Sequence, residues 1–190
     1  VRRARARPAS PGCSTRPGRG ARAGGFNDSP VPSEQRYGPE SNWTYELGAK
    51  LTDGTRPVQA TVAVFLADWS HMQLLQPSSD PDFFDTVTRN VGSARITGLE
   101  LSFDVRASSW SELHISYAHT DARFSAGTIN LSIMGTCTPE ICRMIPAPQP
   151  GVLVPDVGGN RLPGAPIDAG SVSVVLHGML SGTLRWNLDA

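Results

Sequence analysis

The stretch YGPESNWTYELGAKLTDG, residues Tyr37–Gly54, places its bulky side chains on every second position. Trp43 and Leu47 belong to this series, and small or polar residues lie between its members. A period of two predicts an extended strand, because successive side chains of a strand point to opposite faces. One face of this strand would be apolar, and the other would carry the carboxylate of Glu46 and the ammonium of Lys50.

The same alternation recurs in five later segments, which gives six strand candidates in all. The five segments are VQATVAVFLADW (58–69), RITGLELSFDV (95–105), ELHISYAHTDARF (112–124), GSVSVVLH (170–177) and TLRWNLDA (183–190). No segment sustains the apolar spacing of i, i+3, i+4 and i+7 that indicates an amphipathic helix. The pattern therefore predicts an all-β fold.

The connections between the candidates alternate strictly between short and long. Residues 52–57, 106–111 and 177–182 are short connections, whereas 70–94 and 125–168 are long. In an antiparallel up-and-down meander, this alternation places every short turn at one end of the sheet. Transmembrane β-barrels have this asymmetry, and a tilted strand needs about 9–11 residues to cross a bilayer. We therefore expect a partial, unclosed segment of a large transmembrane β-barrel.

In such a barrel the apolar face of each strand meets lipid and the other face meets a wet lumen. The residues expected to contact lipid are Leu99, Leu101, Phe103, Leu113, Ile115 and Leu184. The residues expected to line the lumen are Glu46, Lys50, Glu100, Asp104 and Arg185. Glu46 and Glu100 are either contacts for a plug or ligand, or, as we favour, solvated charges paired with Lys or Arg. Five aromatic residues near strand ends fit interfacial girdles; they are Trp43, Tyr45, Trp69, Trp110 and Trp186.

The composition is compatible with one β-rich domain. The 190 residues include 19 Gly and 16 Pro, the formal net charge is zero, and charged residues make up 18%. Residues 1–25 contain seven Arg and no acid, and they show no apolar periodicity. We expect this segment to be disordered, whether it is a nucleic-acid-binding tail, a transit peptide or, as we favour, non-native. The barrel portion would then be residues 26–190.

The cysteines and histidines give few functional signals. Cys137 and Cys142 lie in a polar, Pro-rich stretch, and the sequence is compatible with either a local disulfide or two free thiols there. His114 and His119 are five positions apart, so one regular strand places them on opposite faces and they cannot jointly bind a metal. The segment DPDFFD (80–85) lacks the rest of an EF-hand. No cofactor motif or catalytic signature is present, so we expect neither a metal site, a cofactor nor an enzyme.

Several motifs in order resemble the C-terminal barrel portion of TonB-dependent outer-membrane receptors. They are GGFN (24–27), GPESNWTYELGAK (38–50), ATVAVFLADWSHMQ (60–73), RNVGSARITGLELSF (89–103), SYAHTDARF (116–124) and NRLPGAPIDAGSVSV (160–174). The resemblance covers about residues 24–190. It implies a barrel of about 22 strands with an internal plug, in the outer membrane of a Gram-negative bacterium. It also implies uptake of ferric siderophores or similar scarce ligands, energised through TonB.

The sequence departs from the family pattern in ways that indicate a fragment. We recognise no plug domain and no TonB-contacting segment, so the TonB complex would engage regions outside this sequence. Six or so strands cannot close a barrel, and we expect the segment not to transport alone. The expected partners are outer-membrane lipid and the ligand, sampled by the loop at 125–168, with no nucleic acid.

Two hypotheses from other classes remain at this point. A secreted β-sandwich that binds carbohydrate or protein would bury the apolar faces against one another. A basic-tailed nucleic-acid binder would lose its salt-sensitive DNA binding when residues 1–25 are removed.

Overall fold

In a computed structural model, a seven-stranded antiparallel sheet contains most of the chain. The structure describes residues 12–53, 57–80, 82, 85–147, 150–181 and 184–189. The strands of the main sheet are β1 (Gly12–Arg22), β4 (Glu40–Asp53), β5 (Val58–Ser70), β8 (Ser93–Ser108), β9 (Ser111–Phe124), β12 (Asp168–Ser181) and β13 (Leu184–Asp189). Their spatial order is β1-β4-β5-β8-β9-β12-β13, and every neighbouring pair is antiparallel. The described strands do not close into a barrel, so β1 and β13 are the edges of the sheet.

Three small hairpins lie in the long connections of this meander. They are β2 (Gly25–Phe26) with β3 (Arg36–Tyr37), β6 (Gln73–Pro77) with β7 (Thr86–Asn90), and β10 (Arg143–Pro146) with β11 (Leu153–Asp156). Two 3₁₀ helices, Pro32–Glu34 and Leu131–Thr136, accompany them. Within the described residues, no helix has the length and apolarity to cross a bilayer. We call the end of the sheet that carries these hairpins the long-loop end, and the opposite end the short-turn end.

All six predicted strands are present, with the predicted direction and connections, and β1 is an additional strand of the same sheet. β4, β5, β8, β9 and β12 are 13 to 16 residues long, which is enough for a tilted bilayer crossing. The turns β4–β5, β8–β9 and β12–β13 are short, and the connections β5–β8 and β9–β12 are long. The fold is therefore the unclosed antiparallel meander that the alternation predicts.

The start of the chain differs from its prediction. Residues 12–22, predicted from their composition to be disordered, instead form strand β1 and pair with β4 over its whole length. The prediction failed because it depended on apolar periodicity, whereas strand pairing is made by the backbone. Pro17 is compatible with this position, since β1 is an edge strand and one side of it needs no donor. Residues 1–11 lie outside the described residues.

One glycine in the middle of the sheet makes room for an aromatic ring. Gly98 in β8 pairs with Phe65 in β5. A Cβ atom at Gly98 would overlap the Phe65 ring and lie 2.8 Å from the carbonyl oxygen of His119. Because Gly98 has no side chain, the Phe65 ring packs directly over the backbone at this position, as aromatic residues do beside strand glycines.

The buried residues of the described chain are concentrated at the long-loop end. The main apolar cluster there consists of Met72, Ala94, Phe124, Cys142 and Val157. Val87 of β7 is 1% exposed, whereas Val172 of β12 in the main sheet is 66% exposed. The hairpins therefore form a packed cap at one end, and the sheet itself stays open on both faces.

Candidate functional site

The register of the main sheet sorts its side chains into one apolar and one polar face. Cross-strand partners share a face, so the pairs Leu47–Val64 and Val64–Leu99 lie on the same side. Continuing across the sheet, Leu101 pairs with Tyr117, and Phe103 with Ile115. The apolar series of all the central strands thus coincide. No single strand imposes this agreement, because shifting the pairing register of one strand by one residue would move its apolar side chains to the other face.

The apolar face has no partner layer among the described residues. Its exposed side chains are Tyr45, Leu47, Leu51, Val62, Val64, Leu101, Phe103, Ile115, Tyr117, Val172, Val174, Trp186 and Leu188. A soluble monomer rarely exposes a contiguous apolar patch of this extent. The β-sandwich hypothesis requires these side chains to pack against a second sheet, and the described residues form only two-stranded hairpins beside the main sheet. The sandwich hypothesis is therefore not supported.

The residues expected to line a lumen occupy alternate positions on the other face, but they do not form one cluster. Lys50 pairs with Thr61, and Glu46 pairs with Phe65. Glu100 has Ala63 and Ala118 as its cross-strand neighbours, so the expected pairing with Lys or Arg is absent for Glu100 within the described chain.

Asp104 and Arg185 complete this predicted set. The Oδ1 atom of Asp104 is 2.7 Å from Nδ1 of His114, which lies beside it on β9. Arg185 pairs with Met179 in the β12–β13 ladder, and its side chain lies outside what the structure describes. The same applies to the side chain of Leu184, which was expected to contact lipid. Lumen lining stays a prediction for all five residues.

A second polar group on this face, near the short-turn end, was not predicted. Glu112 of β9 accepts a 2.7 Å hydrogen bond from Nε of Arg106. His114 and His177 approach the same carboxylate, with nitrogen–oxygen distances of 3.8 and 3.6 Å. His177 is distant in sequence from the other three, and the strand register brings it to them. Within the described chain, no group of three or more His, Cys, Asp or Glu side chains has the geometry to hold a metal ion.

Most charged residues on the apolar face lie at its long-loop end, and Asp53, the last residue of β4, lies at the short-turn end. Arg95 donates from Nε to Asp68 over 2.8 Å, and Arg123 donates from Nε to Asp121 over 2.9 Å. Farther along, Nδ1 of His119 lies 2.8 Å from Asp168, which also accepts a hydrogen bond from Tyr117. We call these residues the ionic rim. The sequence contained a signal for it, because each of these charges interrupts an apolar series at the same end of its strand.

The cap at the long-loop end is organised around a buried carboxylate, Glu34. It accepts hydrogen bonds from the hydroxyls of Ser29 at 3.0 Å and Ser78 at 2.7 Å, and from the amide of Ser79 at 2.7 Å. It also forms an ion pair with Arg89. Burial alone would raise the pKa of Glu34, but the hydrogen bonds from Ser79, Ser78 and Ser29 outweigh it and hold the pKa at about 2. Glu34 thus ties the β2–β3 connection to the β6–β7 hairpin.

A second buried carboxylate, Asp156, shapes a cleft on the same end. It accepts hydrogen bonds from the amides of Gly127 at 3.0 Å and Gly158 at 2.8 Å, and it pairs with Arg143 at 3.2 Å. Burial would raise the pKa of Asp156, but the bonds from Gly158, Gly127 and Arg143 lower it below its usual value. The cleft beside it has a volume of about 820 Å³.

A disulfide links Cys137 and Cys142 in the wall of this cleft, with their Cα atoms 5.6 Å apart. Cys142 belongs to the buried apolar cluster and lines the cleft. The link therefore anchors the segment between the second 3₁₀ helix and β10. Both cysteines lie within the loop at 125–168 that was expected to sample ligand.

The geometry agrees with the result of a comparison with known protein families. The family model described as TonB dependent receptor-like, beta-barrel, matches residues 14–189. The chain belongs to this family. The match begins inside β1, so that strand is part of the barrel domain as the family model defines it. The family is one of outer-membrane receptors, which confirms the resemblance derived from the motifs.

A solved structure shows the same fold. The crystal structure of the ferric yersiniabactin uptake receptor FyuA from Yersinia pestis superposes with a TM-score of 0.59 at 20% sequence identity. The superposition covers 91% of this chain and 21% of the receptor. This member of the TonB-dependent receptor family thus spans about a fifth of the length of FyuA. Its seven strands correspond to a segment of a barrel.

Proposed function

We propose that the chain is a wall segment of an outer-membrane receptor that imports a scarce ligand, such as a ferric siderophore, with energy passed through TonB. In this proposal the apolar face meets the hydrocarbon of the outer membrane of a Gram-negative bacterium. The polar face, with Glu46, Lys50, Glu100 and Asp104, meets water and whatever occupies the barrel. The long-loop end faces the outside, and its cap contributes to ligand capture.

The observation that carries this proposal is the strand pairing, which places the apolar positions of neighbouring strands on the same face of the sheet. The strands of the main sheet contribute to one open face whose central part is aliphatic and aromatic, and most charges on that face lie at its long-loop end. Strands from 13 to 16 residues long are longer than a globular sheet needs. Alternation of apolar outside and polar inside is the pattern of membrane barrels.

The proposed ligand class is that of the family and of FyuA, an uptake receptor for ferric yersiniabactin. The segment supplies loops and wall to such a receptor, whereas the TonB complex would engage other parts of it. We do not expect the segment to transport alone, because two free edges and a single arc of wall enclose no path.

The test is the requirement for an amphiphile. The chain, refolded from urea, should give a monodisperse β-rich species in dodecyl maltoside micelles and aggregate when the detergent is removed. A monodisperse, cooperatively unfolding species in plain buffer would contradict the proposal, because it would show that the apolar face is covered by protein.

A further inference from the structure

The β6–β7 hairpin joins the main sheet through a short segment that belongs to neither ladder. The last pair of the β5–β8 ladder is Ser70–Ser93, and the first pair of the β6–β7 ladder is Gln73–Asn90. We call the four residues between these pairs the elbow. They are His71, Met72, Val91 and Gly92.

Two residues of the elbow have backbone angles in the left-handed region. The angle φ is 56° at His71 and 91° at Gly92, and His71 is the one residue other than glycine with a positive φ in the described chain. This region is sparsely populated for residues with a Cβ atom, and it persists only where the surrounding structure imposes it. Neither ladder can therefore continue through the elbow in its extended conformation, and other contacts must fix how the hairpin sits on the sheet.

Thr128 holds one side of the elbow. It belongs to the β9–β12 connection and is fully buried. Its hydroxyl donates to the carbonyl oxygen of Ser93 over 3.0 Å and accepts from the amide of Ser93 over 3.2 Å. A Cβ atom at Gly92 would lie 2.7 Å from the Cα atom of Thr128, so this contact requires a glycine. Because one hydroxyl makes both hydrogen bonds, a displacement of Thr128 breaks them together.

Asn90 holds the other side of the elbow. Its side-chain amide donates to the carbonyl oxygens of His71 over 2.8 Å and Gly38 over 3.0 Å, and its side-chain oxygen accepts from the amide of Gly38 over 2.6 Å. Gly38 lies between β3 and β4. The side chain of Gln73 donates to the same Gly38 carbonyl oxygen over 3.0 Å. The elbow is therefore attached to the β1–β4 connection as well as to the β9–β12 connection.

The hairpin beyond the elbow is bound to the same two connections. Glu34 of the β1–β4 connection accepts a hydrogen bond from Ser78 and pairs with Arg89. On the other side, the buried side chain of Gln76 accepts a 2.6 Å hydrogen bond from the amide of Leu131 in the β9–β12 connection. The position of the hairpin relative to the sheet is thus shared by all three long connections.

We propose that the elbow couples these three connections, so that a displacement of the β9–β12 connection at Thr128 passes through the hairpin to the β1–β4 connection at Gly38. Thr128 and Asn90 are the positioning residues of this device. Coupling between two places is reciprocal, so a change at Gly38 should also reach Thr128. The inference goes beyond the proposed function, under which the device would make separate loops of the long-loop end respond together to a captured ligand.

The experiment is hydrogen exchange, read by mass spectrometry with residue resolution, on the full chain refolded in dodecyl maltoside micelles. Thr128→Val keeps the shape of the side chain and removes the hydroxyl. We expect exchange to rise at least fivefold at the amides of Ser93 and Gly38 and in the β6–β7 hairpin, and Thr128→Ser, which keeps the hydroxyl, to retain the protection. The matched control is Thr136→Val, because the Thr136 hydroxyl belongs to the same connection and donates within it, to the carbonyl oxygen of Ile133.

Asn90→Ala tests the reverse direction, because it removes the hydrogen bonds to Gly38 and should raise exchange at Ser93. A rise confined to the side of the elbow that carries the substitution would overturn the coupling. An equal rise throughout the main sheet would also overturn it, because that result would show a general loss of stability. The comparison of variants works equally in plain buffer. A chain that proves monodisperse there would contradict the proposed function, whereas only the exchange pattern decides the coupling.

Discussion

At the scale of single residues, Leu101 and Ser102 are neighbours in sequence with opposite surroundings. Leu101 lies on the apolar face beside Val62 and Tyr117, and Ser102 lies on the polar face between Thr61 and Ser116. A lysine on the lipid face of a barrel costs about 2–4 kcal/mol near the bilayer midplane. We therefore expect Leu101→Lys to lower the free energy of unfolding in lipid vesicles by that amount and Ser102→Lys to lower it far less. Urea titration followed by tryptophan fluorescence checks this, and equal losses for the two variants would contradict it.

Glu34 gives a pH dependence at the same scale. Its pKa of about 2 in the folded chain lies below the ordinary 4.5, so its contribution is fully present above pH 4.5 and is lost as the pH falls from there toward 2. The contribution is about 3 kcal/mol. We expect the protection of the Ser29, Ser78 and Arg89 backbones from hydrogen exchange to fall as the pH drops from 4.5 toward 2, and Glu34→Gln to remove that pH dependence.

The control for this prediction is Glu140→Gln, because Glu140 is exposed and takes part in no hydrogen bond or ion pair within the described residues. Its exchange profile should follow the unmodified chain at every pH. A cap that loosens on acidification equally in Glu34→Gln and in the unmodified chain would show that another group controls it.

At the scale of elements, the β5–β8 pair depends on the fit of Phe65 over Gly98. We expect Gly98→Ala to lower the free energy of unfolding by about 1–3 kcal/mol, since the new methyl group overpacks the Phe65 ring. In a Phe65→Ala background the loss should be smaller, although the His119 carbonyl oxygen remains 2.8 Å away. A double-mutant cycle measures this coupling, and a coupling energy near zero would mean that the ring does not determine the pairing.

The Cys137–Cys142 link acts on one element only. It closes a short loop, for which the chain-entropy estimate is about 2 kcal/mol. We expect reduction to increase hydrogen exchange between the second 3₁₀ helix and β10 and to leave the main sheet unchanged. Loss of β-sheet signal on reduction would contradict this local role.

The elements also show what the sequence could and could not predict. Alternation predicts β5 and β8 because each places its large apolar side chains on one exposed face. β1 escaped prediction because its side chains, with Pro17 and Arg19 among them, follow no period, while its backbone pairs with β4. The cap escaped prediction because Glu34, Ser78 and Arg89 are separated by up to 55 residues, and only the folded hairpins bring them together.

At the scale of the whole molecule, the sheet has two edges and two unlike faces. β1 and β13 leave one side of their backbones unpaired by the main sheet, which is unstable in hydrocarbon unless neighbouring strands complete the wall. The apolar cluster lies at the long-loop end rather than between layers. The described chain is thus an arc of barrel wall, and its buried apolar cluster lies in the hairpins at the long-loop end.

Spin-label accessibility along β8 measures directly which face of the sheet contacts lipid. Labels are placed one at a time at positions 99 to 105 of the chain in lipid vesicles, and collisions with oxygen and with a polar nickel chelate are compared. We predict high oxygen and low chelate accessibility at Leu99, Leu101 and Phe103, and the reverse at Glu100 and Ser102. Equal accessibility at odd and even positions, or chelate access at the odd ones, would contradict the account.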